Sequence, residues 1–324
     1  MLFQLATKAS KDIEIVKIAL NLQTRSLDEF DGAERTKIRQ HAFATSVTRI
    51  YAVFESFVNK ALSDYLDFLS SSMSYDNLPV GIKDEYRIGI SHVLSKLHHD
   101  RFKSLIHETL IDTYHKAINN YYNYQFVTQA LIRHDANLKL EVISSLFSRL
   151  QLKEFDKWIE NNHKIISLYE DGDRIKERFD AELKKFIQDR NDSSHGLPEN
   201  IGGETAIMRY CLLIEAAINA ITSYLNKNII NLKLQCGTAF KVGVVTEVFE
   251  KAQAYIAKIN SGAIIDIQNV FYFCEDYDFY AQSFGSIQVD GAAYDSFIIK
   301  DNEFEVGLSG ERLAKKRTEI FYIT

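Results

Sequence analysis

Only four glycines (Gly32, Gly81, Gly89 and Gly172) and one proline (Pro79) interrupt the first 195 residues of this 324-residue chain. In a helix interior glycine costs about 1 kcal/mol relative to alanine and proline about 3, so a stretch this poor in both is suited to long helices. The apolar positions agree. In "SVTRIYAVFESFVNKALSDYLDFL", Val47, Ile50, Tyr51, Phe54, Phe57, Val58, Ala61, Leu62 and Tyr65 recur at three- and four-residue steps, which lines them up on one helix face. Similar patterning predicts helices over roughly residues 10–28, 82–97, 102–122, 138–150 and 174–194. A last one, "TAIMRYCLLIEAAINAITSYLN", is apolar nearly all round, as a helix in the middle of a bundle must be.

Beyond residue 229 the texture changes. Gly237, Gly243, Gly262, Gly285, Gly291, Gly307 and Gly310 punctuate short runs rich in β-branched and aromatic residues, which read as strands. "NLKLQC", "FKVGVV", "IIDIQNV", "YDFYAQSF", "SIQVD", "SFIIK", "FEVGL" and "EIFYI" are the candidates, with one helix at about residues 246–259, "TEVFEKAQAYIAKI". The expected architecture is mainly α: a helical domain over residues 1–228, followed by a smaller α+β domain over 229–324, a usual size for a folding unit.

Charge and cysteine usage narrow the function classes. The formal net charge is −6, with 29 basic and 31 acidic residues before residue 229 and 9 and 13 after it. Neither part has the basic excess of an architectural nucleic-acid binder, so any phosphate contact must be local. No run of 18 apolar residues appears and "MLFQLATKASKD" is too soon charged for a secretory signal, so a cytoplasmic protein without a membrane partner is expected. Cys211, Cys236 and Cys274 are odd in number and far apart, which speaks against a disulfide framework or a cysteine zinc site and for buried thiols.

The segment "FDAELKKFIQDRNDSSHGLPEN" carries the chemistry. Ile175, Phe179, Leu183, Phe186 and Ile187 form one stripe; Arg190 lies four residues past Phe186, Asn191 four past Ile187 and His195 four past Asn191, so polar groups inherit the inward face. Gly196 and the Leu197-Pro198 pair must end this helix, leaving His195 in its C-terminal turn, where the negative end of the helix dipole favours imidazolium. An arginine followed by a histidine four to six residues on arises about once by chance in such a chain. Four such pairs occur: Arg35/His41, Arg87/His92, Arg101/His107 and Arg190/His195. Only Arg190 is followed directly by asparagine.

Glu55 shares the stripe of Tyr51, Val58 and Leu62, and a carboxylate placed there needs a partner. Arg190 is a natural candidate, since its planar fork can hold a carboxylate on one edge and a phosphate on another. The plainer alternative is a satisfied interior pair with His195 as a helix cap.

"DRNDSSHG" resembles the R-x4-6-H motif, with a polar residue after the arginine, of the HEPN superfamily. The "RIYAVFESFVNKAL" helix is similar to the early acidic helix of its RiboL-PSP-HEPN branch. The resemblance covers roughly residues 40–228, with helices between about 80 and 170 inserted into the minimal four-helix unit. It implies a metal-independent endoribonuclease without cofactor, working as a homodimer with two motif copies facing one cleft. Arg190, Asn191 and His195 would be catalytic and Glu55 and Asp192 supporting. It also implies an effector of phage defence or of a toxin–antitoxin system, held back by an antitoxin or released by a phage-derived trigger. A catalytically silent nucleotide-binding or dimerisation module, with the C-terminal domain as sensor or binding domain, is the alternative.

For RNA contact the helix before the motif offers Lys184 and Lys185, with Arg174, Lys176 and Arg178 some turns earlier, although solvated faces account for these equally well. The run "NNYYNYQF" could stack on bases, but tyrosines at this density are more often core or dimer contacts. His92, His98 and His99 lack the i, i+4 spacing of a helical metal site, and His107 and His115 stand eight apart, so no metal is expected.

Overall fold

The computed structural model describes residues 1–27, 30–134, 136–170, 172–196, 202–300 and 302–323, without the side chains of Arg101 and His195. Two compact units make up the chain, Met1–Thr222 and Ser223–Thr324.

The first unit is helical. Helix α1 (Phe3–Ser26) precedes α2 (Gly32–Ser72), whose 41 residues would span about 60 Å at 1.5 Å per residue. Asp31 starts α2 by accepting from the N–H groups of Ala33 and Glu34, both at 2.9 Å, which satisfies donors a helix start leaves unpaired. No glycine or proline occurs between Ala33 and Ser72 to stop it. Phe43, Val47, Ile50, Phe54, Phe57, Val58, Ala61 and Leu62 are buried along its inner stripe. Next come α3 (Val80–Ser95), α4 (His107–Ile118), α5 (Thr128–Leu131), α6 (Leu140–Arg149), α7 (Phe155–Asn161) and α8 (His163–Ile166). The short α5, α7 and α8 are not foreshadowed, since four to seven residues carry too little periodicity to read. The tyrosine run divides. Tyr124 and Phe126 are core residues, 5.4 Å apart in edge contact, whereas Tyr121 and Tyr122 are exposed.

Helix α9 (Ile175–His195) buries the predicted stripe completely, with Phe179, Leu183, Phe186 and Ile187 at 2% exposure or less. It ends at His195 as expected; Leu197 and Pro198 lie outside the described residues. Helix α10 (Gly203–Gln235) is longer than expected. "NLKLQC" continues it instead of starting a strand, because extending an existing helix adds a hydrogen bond per residue without a new nucleus and no glycine intervenes before Gly237. By length and composition α10 could cross a membrane, yet 61% of its most apolar window is buried inside the protein, as in a core helix.

The second unit is a β-barrel, which corrects the α+β expectation. Strands β1 (Ala239–Phe249), β2 (Ala254–Ile259), β4 (Val270–Cys274), β5 (Phe279–Val289), β8 (Phe304–Gly310) and β9 (Glu319–Ile323) are antiparallel neighbours in the order β4-β9-β1-β2-β8-β5, and β4 also pairs with β5, closing the ring. β6 (Ala292–Tyr294) extends β5, and β3 (Ile264–Asp266) pairs with β7 (Ser296–Ile298). The helix expected at 246–259 is the β1–β2 hairpin, turned at Gln253 with φ +49°. Its Glu, Lys and Ala content favours helix, but Tyr255, Ala257 and Ile259 alternate inward at 0% exposure, and cross-strand burial outweighs intrinsic preference. Phe271, Phe273, Phe284, Ile287, Val306, Leu308 and Ile320 fill the interior.

Candidate functional site

Arg190 and Asn191 stand in the last turns of α9, half-buried. Phe186 and Ile187 one turn earlier pin this helix end, with the Phe186 ring 5.1 Å from Tyr210 of α10 and 6.3 Å from Tyr51 of α2. The hydroxyl of Tyr210 donates a very short hydrogen bond to Asp189, whose main-chain oxygen accepts from Ser193 Oγ at 2.7 Å. Two turns further back, Arg209 holds Glu182 with two 2.8 Å hydrogen bonds. Neighbouring helices thus fix the helix tip, the kind of rigid support that precise placement of a functional group requires.

The Arg190 guanidinium lies over the Tyr51 ring, 4.6 Å from its centroid, in range for cation–π attraction. Its Nη1 donates to Asn191 Oδ1 at 3.2 Å, and Asn137 Nδ2 donates to the same oxygen at 3.0 Å. Nε of Arg190 is buried with no hydrogen-bond partner among the described residues. Among the described residues no carboxylate lies within ion-pair distance of the guanidinium.

The anticipated Glu55–Arg190 pair is therefore indirect. Tyr51 stands between them: its hydroxyl accepts from Leu138 N at 3.2 Å and shares its proton between Glu55 Oε1, at 3.4 Å, and Asn137 Oδ1, at 3.3 Å. A half-buried Glu55 with a phenolic donor avoids the desolvation that a direct buried ion pair entails. Burial pushes the Tyr51 phenol above its ordinary range; the Leu138 N–H opposes this, the Glu55 charge adds to it and the Arg190 charge opposes it. The phenol stays a neutral donor at physiological pH.

Asn137 is the residue that the sequence reading missed. It lies in the loop before α6, 54 positions ahead of Asn191, and no local pattern marks it. Tyr51 was visible only as a member of an apolar stripe. The remaining positions fall as follows. Asp192 is exposed and accepts from Gln188 at 2.7 Å on its own helix. Lys184 and Lys185 project on the outer face beside Asp180, at 2.6 Å, and Asp189, at 3.6 Å. Lys176 is paired with Asp156 at 2.6 Å, and Arg178 stacks on Tyr169. The His195 side chain lies outside the described residues. Among the described residues no three His, Cys, Asp or Glu side chains gather as a metal site would need.

Chemically, this is a half-buried planar cation whose ring stack and one amide contact leave donor capacity open among the described residues. Such a group binds an oxyanion.

No curated protein matches the chain. Among solved structures it is similar to the selenomethionine variant of the C-terminal domain of a putative U32 peptidase from Geobacillus thermoleovorans. That similarity has 12% identity and a TM-score of 0.22, covering 25% of this chain and 96% of that one, too faint to bear on function. The model of the RiboL-PSP-HEPN family matches residues 9–227, which spans α2, the Tyr51–Asn137–Asn191 network and Arg190. On that match, over well more than half its length, the chain belongs to the RiboL-PSP-HEPN family.

Proposed function

We propose that the chain is a metal-independent endoribonuclease whose active site is assembled from the α9 tips of two copies. Membership of the family points to a nuclease or a nucleotide-binding module. The observation that carries the nuclease reading is the state of Arg190: half-buried, held on the Tyr51 ring, with an unpartnered Nε and no carboxylate partner among the described residues.

In the proposed reaction His195 of one copy accepts the 2′-hydroxyl proton as O2′ attacks phosphorus. His195 of the second copy protonates the leaving 5′-oxygen as the P–O5′ bond breaks, and Arg190 stabilises the charge on the pentavalent phosphorus. Asn191, oriented by Asn137, aligns Arg190. The products are a 2′,3′-cyclic phosphate and a 5′-hydroxyl. Glu55 holds the Tyr51 platform in place. As an effector of phage defence or of a toxin–antitoxin pair, such an activity requires restraint.

The test is incubation of purified protein with labelled RNA in EDTA. Cleavage with cyclic-phosphate ends is expected in the wild type, reduced about 10²–10³-fold in Arg190→Ala, as when a charge-stabilising donor is lost, and growth arrest on expression should disappear with the same substitution. Cleavage that EDTA abolishes, or that Arg190→Ala leaves intact, refutes the mechanism. Nucleotide binding without cleavage would select the silent module.

A further inference from the structure

The open end of the β-barrel holds a cavity of about 480 Å³ bordered by residues that no part of the reaction above uses. Its size is within the roughly 300–1,000 Å³ of small-ligand sites, and barrel mouths are a usual place for them. Phe240 on β1 stands directly opposite Tyr322 on β9 in the antiparallel register, so the two rings share one face. That face is the inner one carried to the barrel rim, since Tyr322 lies 5.6 Å from the fully buried Phe271. Phe240 is nevertheless 52% exposed. A large ring left to water beside a cavity is ready to stack.

The polar groups at the rim have a consistent chemistry. Asn260 donates its Nδ2 to Lys241 O at 2.7 Å, leaving its Oδ1 as an acceptor. Asn269, half-buried, makes no side-chain hydrogen bond among the described residues, so its amide offers both a donor and an acceptor. Among the described residues Lys241 is the one cation bordering the cavity, and its ammonium is held by Glu319 at 2.6 Å. With 13 acidic against 9 basic residues after position 229, the barrel has little to offer a polyanionic backbone. A flat apolar face, amide groups that read N–H and C=O edges, and no free cation among the described lining residues suit an uncharged planar heterocycle rather than a phosphate.

We infer that the barrel mouth bounded by Phe240, Tyr322, Asn260 and Asn269 is a binding site for a single nucleobase, taken face-on by the rings and edge-on by the amides. The base can come from a free nucleoside or from an unpaired position in a single strand. Stacking on an aromatic side chain is sequence-tolerant, so selectivity falls to the two asparagines.

The experiment uses the full chain, titrated with adenosine, cytidine, guanosine and uridine and with a single-stranded DNA octamer, which lacks the 2′-hydroxyl needed for cleavage, followed by calorimetry and by quenching of tyrosine fluorescence. Saturable binding is expected, weakened about tenfold by Phe240→Ala, the effect of losing one stacked base contact, and retained in Phe240→Trp. Phe240 is half exposed, so its replacement leaves the barrel core intact, and unchanged circular dichroism verifies this. Equal affinity for nucleoside and octamer identifies the free nucleoside as the source; an octamer bound more than tenfold tighter identifies the strand. Failure of every nucleoside and of the octamer to bind at millimolar concentration, or binding that Phe240→Ala does not weaken, overturns the inference. The readout is independent of cleavage, so its failure leaves the nuclease reading standing, and the converse.

Discussion

Each of the two units contains an arginine stacked on a tyrosine, and the two stacks differ in what else the arginine holds. In the barrel, Arg312 lies 3.9 Å from the centroid of Tyr280 and reaches Glu275 Oε1 at 3.2 Å and Asp278 Oδ2 at 2.5 Å, with Lys315 on the second Glu275 oxygen at 2.8 Å. In the helical unit, Arg190 lies 4.6 Å from the centroid of Tyr51 and its guanidinium otherwise meets, among the described residues, the neutral Asn191 amide. The carboxylate side chains of Glu275 and Asp278 are 6% and 8% exposed, so Arg312 is consumed by charges already present. Glu55 reaches Arg190 only through a phenol. The same stack thus faces two carboxylates in the barrel and, among the described residues, a neutral amide in the helical unit, and under the proposed function only the second arginine is left for a ligand.

The largest effect that could break this contrast is on stability. Arg312→Ala would take from two buried carboxylates the arginine they share, leaving Lys315 on Glu275 and Ser223 Oγ and Phe279 N on Asp278; breaking a buried ion pair costs about 3–5 kcal/mol, and because the Arg312 side chain is 31% exposed, the lower end applies. Hydrogen exchange of the β5 amides should accelerate by about two orders of magnitude, since 1.4 kcal/mol is tenfold. Arg190→Ala should change the exchange of α9 far less. Equal losses in the two variants would mean that Arg190 too is structural.

Much of this architecture could be read from the amino acids, and the limits are physical. Helices α2 and α9 were legible because their apolar residues repeat at helical spacing and neither glycine nor proline interrupts them before their ends. The tip residues Arg190 and Asn191 followed from the same count. Asn137 could not be found that way: its contact with Asn191 spans 54 residues and comes from a loop, where no period constrains identity. The barrel was harder still. β2 alternates Tyr255, Ala257 and Ile259 inward but follows helix-favouring Glu, Lys and Ala residues, so its segment reads as one helix by composition, and ring closure between β4 and β5 is a fact of pairing, not of composition.

A middle-sized test separates the ring from the hydroxyl of Tyr51. Tyr51→Phe keeps the platform under Arg190 but removes the acceptor of the buried Leu138 N–H, an unsatisfied group worth about 1–3 kcal/mol. The helical unit should lose that much in urea unfolding while RNA cleavage falls only severalfold. Tyr51→Leu removes the platform as well and should bring cleavage close to the Arg190→Ala level. Should the two variants cleave equally well, the stack does not position Arg190.

The smallest effect gives each unit its own reporter. Burial pushes the thiols of Cys211, in the helical unit, and Cys274, in the barrel, up to about 11, whereas Cys236 is exposed. A raised thiol pKa favours the folded state at pH below the unfolded value near 8.5, and that contribution disappears as pH climbs through 11. At pH 8 only about one buried thiol in 10³ would be ionised even if reagent could reach it, so the native protein should label rapidly at one cysteine and the urea-unfolded protein at three. Arg312→Ala should then speed labelling of Cys274, the neighbour of Glu275, and leave Cys211 slow; Tyr51→Leu should do the reverse. Peptide mapping by mass spectrometry reads both sites in one sample. Labelling of both thiols in either variant would show that the stacks report one shared unfolding event, and the division between a cohesive and a ligand-ready arginine would have to be argued from cleavage alone.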